Sequence, residues 1–362
     1  MVSRSKITRA AGLISSATGD TVEAAVIDTD GRDDIRPLGG VSLPYDERLR
    51  WRILEATQND LPTTEVLRLE RDLTEHYAEA YRALAAAYPD ETSSVAMIGF
   101  YGPTLRHIPS EGLTLQIGNP WQLAEATQLP VVSDFRRHDM ATGGQGGPLA
   151  AMFHWAHMAQ EPRPALMLNV SSVCSVTWLS TNNEIIAGDT GPGIGLLNEW
   201  VQEMADRPHD LDGAISSQGK IDEQIVDATL DAPFFSRPLP KAAGRHEFDH
   251  VDVSGLSVED GAATLCAITA RAVAAAAKLL PDPPNLLWVT GAGSEQPVIV
   301  ELLKSHFAQV RNVAQRGLDP RTMAAECFAW MAVRHARGLP ITTPETTGCR
   351  SADCAGFMAR PR

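Results

Sequence analysis

The chain has 362 residues, 44% of them hydrophobic and 21% charged, which is enough apolar material for one large core or two packed lobes. A formal net charge of −14 excludes the broad basic surface that a nucleic-acid backbone or an anionic membrane demands. No apolar run reaches the length of a membrane helix, and the short one near the start is broken by Gly12, Ser15 and Ser16, so no secretory signal is read and the cytoplasm is expected.

In chain order, the first feature is a strand pair, Leu13-Ile14 and Val22 to Ile27, around a turn of Ser15, Ser16, Thr18, Gly19 and Asp20. That turn reads either as a phosphate cradle or as a polar hairpin tip. Thr63 to Tyr88 carries Val66, Leu69, Leu73, Tyr77, Tyr81, Leu84 and Tyr88 at three- and four-residue steps, which predicts a long helix with one core face. Strands follow at Val95 to Phe100 and in "LTLQIGNP", then a short one in "LPVVSDF". It leads into Gly143, Gly144, Gly146 and Gly147, a cluster that lets backbone approach something closely.

The second half opens like the first: Ala165 to Ser180 gives two apolar strands around a serine turn. "IIAGDTGPGIGLLNEW" then reads as a strand, a turn holding Asp189, Gly191, Pro192 and Gly193, and a helix start. Such an arrangement is a ready anion site, because unpaired N–H groups and the helix dipole face whatever sits there. Ser257 to Leu280 predicts an Ala-rich helix, "NLLWVTGAGSEQP" repeats the strand and glycine turn, and a last helix runs from Asp319-Pro320 to about Ala336.

The alternation predicts an α/β protein of two related lobes with a cleft between them, residues 1–150 forming the N-terminal lobe and 151–362 the C-terminal one. Five irregularly spaced cysteines, Cys174, Cys266, Cys327, Cys349 and Cys354, read as reduced thiols rather than as disulfides or a metal site.

Two strand-turn-strand loops and a third strand-glycine-helix turn resemble the actin/sugar-kinase/Hsp70-like architecture, a duplicated ribonuclease-H-like fold. More specifically, the stretch from Thr114 to His154, "GDTGPG" from Gly188 to Gly193, "PLPKAAGRHEF" and "ECFAWMA" resemble the anhydro-N-acetylmuramic acid kinases over nearly the whole chain. That resemblance implies ATP-dependent opening of a 1,6-anhydro sugar from cell-wall turnover with phosphorylation of O6. It also implies MgATP as cofactor and a homodimer.

By resemblance, Asp189 is the general base. Cofactor contacts fall to Ser15, Ser16, Ala17, Thr18, Asp20, Ser171, Ser172, Gly191, Gly193, Gly291 and Gly293, with Asp20 near the metal, Mg²⁺. Sugar contacts fall to Thr104, Arg106, Asp134 and Arg136. The departures lie at the nucleotide loops. Ser16 and Ala17 stand where the family has glycine and threonine, Ser171-Ser172 replaces a glycine pair, and Tyr101-Gly102-Pro103-Thr104 replaces a His-Gly-Gln-Thr stretch. These leave open a relative that binds sugar or a partner without productive ATP binding, or a kinase for another anhydro sugar.

Overall fold

Strands β1 (Thr8–Ser15) and β2 (Thr21–Thr29) form the expected opening hairpin, in register from Thr8 opposite Thr29 to Ser15 opposite Val22, in a computed structural model that describes residues 6–16, 19–284 and 286–362. β3 (Ile35–Pro44) continues the antiparallel run. It contains Pro37, Gly39 and Gly40, which a strand tolerates at the sheet edge because proline there sacrifices no ladder bond on its solvent side. β4 (Met97–Tyr101) then pairs parallel with β1; a separate ribbon is formed by β5 (Thr104–Ile108) and β6 (Leu113–Gln116). β7 (Val131–Ser133) pairs parallel with β4.

The second sheet has β8 (Ala165–Val170), β9 (Val173–Leu179), β10 (Ile185–Pro192), β11 (Leu286–Thr290) and β12 (Val310–Asn312), and β13 (Phe357–Ala359) returns to the first sheet beside β7. The order β3-β2-β1-β4-β7 in one sheet and β10-β9-β8-β11-β12 in the other is the same topology, with two antiparallel and then two parallel neighbours in each. This is the duplicated ribonuclease-H-like α/β fold, established from the internal repeat itself.

Contacts divide the chain into two compact units. The first runs to Ala159 and also takes in Arg321–Pro344 and Cys349–Arg362; the second is Gln160–Pro320 with Glu345–Gly348. The expected division into consecutive stretches 1–150 and 151–362 therefore differs from the observed one, because the late helix Met323–Ala336 packs on β1, β2 and β4.

In the first unit the Thr63–Ala87 helix buries Leu69, Leu73, Tyr77 and Leu84 against Ala11, Leu13, Val22 and Val26. In the second, Leu166, Leu168, Leu287 and Val289 form the sheet side of a core shared with Val201, Leu265 and Ile268. The Val258–Ala277 helix that carries Leu265 is capped by Ser257, whose hydroxyl accepts the Asp260 N–H at 3.1 Å. No helix among the described residues is long and apolar enough to cross a membrane.

Candidate active site

Asp189 lies near the end of β10, where the pairing with β9 slips between Asp189 and Gly191. Such an irregularity re-aims a side chain at a strand end. The segment after Pro238 runs beside this edge strand: the Asp189 N–H donates to the Lys241 carbonyl at 2.7 Å, and the Ala243 N–H donates to Asp189 Oδ2 at 2.9 Å. Gly188 permits the approach, since a Cβ there would stand 2.3 Å from Leu239 Cδ2. The result is a half-buried carboxylate with a fixed orientation, suited to take a proton from water.

Lys241 is 2% exposed and donates through Nζ to the Phe234 carbonyl at 2.8 Å and the Phe235 carbonyl at 3.2 Å. Burial pushes its pKa down to about 8; the neighbouring Arg237 charge adds to the fall and Asp189 opposes it.

The glycine turns of this unit meet at the C-terminal ends of the parallel strands β8 and β11, where open α/β sheets place ligands. Their amides are partly committed, however. Gly193 N–H donates to Ser172 O at 2.9 Å, Ile194 N–H to Ser171 O at 2.9 Å, and Gly195 N–H to Ser172 O at 3.3 Å. The expected open anion site at the start of the Ile194–Ala205 helix is thus closed by the chain's own Ser171-Ser172 turn. A Cβ on Gly193 would sit 2.0 Å from Ser171 O, which is why the turn comes so near.

Gly191 faces packing instead, with 2.7 Å from its would-be Cβ to that of Ala272. Gly291, at φ +86°, and Gly293 pack on Asn169 and Val170, and so stand beside the partly exposed Ser171 and Ser172.

At the opening hairpin the turn closes on itself. Ser16 Oγ accepts the Asp20 and Thr21 N–H groups at 3.2 Å each, and Gly19 N–H donates to Ser16 O at 3.0 Å. The Ser15 hydroxyl lies 2.5 Å from that of Tyr45 and 2.7 Å from that of Tyr77, both buried. Burial pushes the Tyr45 phenol up to about 12 and raises Tyr77 as well. Through these bonds Ser15 and Ser16 hold the hairpin and its core together; Ala17 and Thr18 lie outside the described residues.

Asp20, expected at the metal, accepts Arg50 Nε at 2.5 Å, so its charge is already compensated by a guanidinium. Among the described residues no group of three or more His, Cys, Asp or Glu side chains is placed to hold a metal ion.

Of the residues expected at the sugar, Arg106 is the most heavily engaged by the protein itself. Its guanidinium donates to Ala56 O at 2.8 Å and Thr57 O at 3.1 Å, closing the end of the Glu47–Gln58 helix, and to Asp60 at 3.0 Å. Asp134 accepts Arg137 Nε at 2.6 Å. Thr104 accepts Gln116 Nε2 at 3.2 Å on the β5–β6 ribbon.

Arg136 clamps a cluster. It donates to the Tyr101 hydroxyl at 3.0 Å through Nε and to Gly146 O at 2.7 Å, and its Nη1 lies 3.1 Å from His107 Nε2. Burial and the Arg136 charge push His107 down to about 3, so its Nε2 accepts from Nη1. The glycine cluster itself wraps a buried carboxylate: Gly146 N–H donates to Asp139 Oδ2 at 2.8 Å, and a Cβ on Gly144 would be 2.2 Å from the same oxygen. His107, Asp139, Arg50 and Lys241 belong to these arrangements without having been singled out, and Tyr101 was noted only as a replacement. The only signals for them were the Tyr-for-His change and the motif stretches that contain Asp139 and Lys241.

The family described as "Anhydro-N-acetylmuramic acid kinase" matches residues 8–360. A protein of that name from Acidiphilium cryptum is 40% identical over 360 residues, covering 97% of this chain and 98% of its own. Another from Rhizorhabdus wittichii is 38% identical over 360 residues, with coverage of 97% and 99%. Among solved structures, the activator of the 2-hydroxyisocaproyl-CoA dehydratase from Clostridium difficile is 11% identical with a TM-score of 0.44, covering 92% of this chain and 96% of its own.

Proposed function

The chain belongs to the anhydro-N-acetylmuramic acid kinase family, and from that premise we propose that it opens a 1,6-anhydro-N-acetylmuramic acid with water and phosphorylates O6. The observation that carries the chemistry is the half-buried Asp189 carboxylate, held by the Ala243 N–H beside the glycine turns. Asp189 takes a proton from water as its oxygen bonds to the anomeric carbon. The bond from that carbon to O6 breaks, and the freed O6 is the phosphoryl acceptor, so no separate acid is needed.

Ser171, Ser172, Gly291 and Gly293 are the residues that fit the nucleotide phosphates, being gathered at the strand ends with two partly exposed hydroxyl residues among them. ATP with Mg²⁺ supplies the phosphoryl group and charge neutralisation, positioning and electrostatics being most of such catalysis. Arg136, with Tyr101 and His107, supports the sugar side by shaping the Gly143–Gly147 loop, and Thr104 on the β5–β6 ribbon contacts the sugar. The same reading carries a homodimer in the cytoplasm.

The test is product identity. Incubation with the sugar and MgATP in ¹⁸O-labelled water should give a sugar 6-phosphate with one label at the anomeric position; an unlabelled product would overturn the proposed attack by water. The committed amides of Gly193, Ile194 and Gly195 are the observation that favours a second reading, sugar binding without phosphoryl transfer. Bound sugar with no phosphorylated product would select it.

A further inference from the structure

Lys241 is buried to 2% exposure, and its Nζ is spent on the Phe234 and Phe235 carbonyls at the end of the one-turn helix Pro233–Ser236. Burying a cation away from water is costly unless its donors are satisfied, so a lysine at this depth has a task that an apolar residue would not perform. Its surroundings say what the task is. Nζ lies 4.6 Å from the centre of the Phe234 ring, whose other cationic neighbour is Arg237 at 4.7 Å, and Phe234 packs edge-on against Phe235 and Phe248. The ammonium thus pins the backbone of residue 241 to a rigid aromatic cluster.

That same backbone is what Asp189 rests on. The Lys241 carbonyl accepts the Asp189 N–H at 2.7 Å, and two residues on, the Ala243 N–H donates to Asp189 Oδ2 at 2.9 Å. β10 is the edge of its sheet, so among the described residues no strand neighbours this side; the 239–243 segment lies there in its place.

We propose that Lys241 is the positioning residue for Asp189, anchoring the segment whose Ala243 amide orients and stabilises the ionised carboxylate. The proposal rests on the reading of Asp189 as the base. Charged and titratable groups facing the pair are Lys241 itself, Arg237 from the one-turn helix, and the Cys174 thiol on β9, which burial and Asp189 raise and keep neutral. The ammonium's positive charge and the N–H donor it holds in place both favour the ionised carboxylate, so its loss disfavours that form.

The experiment uses the full chain with Lys241→Met and Lys241→Gln, following sugar-dependent ADP release against pH together with the melting temperature. Glutamine keeps an N–H donor for the Phe234 and Phe235 carbonyls, so folding is retained even where methionine disrupts it. The expected result for Met is a fall in kcat on the order of 10²-fold with the sugar KM unchanged, as for a displaced catalytic group. In both variants the acid limb of the kcat profile moves to higher pH. A folded variant with the original kcat and acid limb overturns the proposal. An Asp189→Asn arm separates the two readings: turnover surviving there sinks the base assignment, whereas turnover lost there but intact in both Lys241 variants sinks only the positioning role.

Discussion

Gly12 on β1 and Gly99 on β4 are register partners in adjacent parallel strands, and together they open a trough for the Met323–Ala336 helix. A Cβ on Gly12 would stand 1.8 Å from Ala325 O, and one on Gly99 1.8 Å from Phe328 O. The obstacle is helix backbone, which cannot rotate aside as a side chain can. Gly12→Ala or Gly99→Ala should lower the urea midpoint by the equivalent of about 1–3 kcal/mol or more, the range of overpacked cores. A midpoint equal to that of the unaltered chain would contradict the trough.

The Ser15 hydroxyl shared by Tyr45 and Tyr77 sets a second expectation. Ser15→Ala leaves two buried phenols short of a partner, at a cost of about 1–3 kcal/mol for groups so placed. Denaturation should register that loss while the MgATP dissociation constant stays unchanged. Weakened nucleotide binding without loss of stability would instead assign Ser15 to a phosphate loop.

Arg106 makes a parallel case. Arg106→Ala frees the last carbonyls of the Glu47–Gln58 helix and should cost roughly 1 kcal/mol, a charge-assisted contact discounted for its partial exposure. The sugar KM should not move. Arg136→Ala, by contrast, releases Tyr101 and the Gly146 carbonyl together and should raise the sugar KM.

Acid sensitivity follows from two buried imidazoles. Burial pushes both His107 and His154 down from 6.5 to about 3, with Arg136 adding to the first and His157 to the second. Their folded pKa values lie below the unfolded ones, so between pH 6.5 and about 3 the unfolded chain binds more protons. Stability therefore falls as pH drops through that window. His154→Gln should flatten the decline in urea midpoint between pH 7 and pH 5, and an unchanged slope would count against the buried neutral imidazole.

Much of the fold was legible because it is local. The expected helix at Thr63 to Tyr88 is observed at Thr63–Ala87, and the strand pairs around Ser16 and Ser171 follow from apolar runs flanking hydroxyl-rich turns. What the sequence withheld was long-range. The partners of Ser15 come from 30 and 62 residues away, and those of Arg106 from about 50, so no spacing rule reveals that these side chains are already occupied. Gly144 was read as part of a cluster that lets backbone approach something closely, and Gly193 as part of an anion site. What approaches them is the chain's own Ser171 carbonyl and Asp139 carboxylate, which only the folded structure discloses.

The central claim is that Asp189 is the base of an anhydro-sugar kinase. It is tested most directly by ADP release from MgATP with 1,6-anhydro-N-acetylmuramic acid, comparing the unaltered chain with Asp189→Asn. The account predicts sugar-dependent release that falls roughly 10²–10⁴-fold in the variant, the span of general-base catalysis, with sugar binding retained. Equal release from both proteins would contradict it.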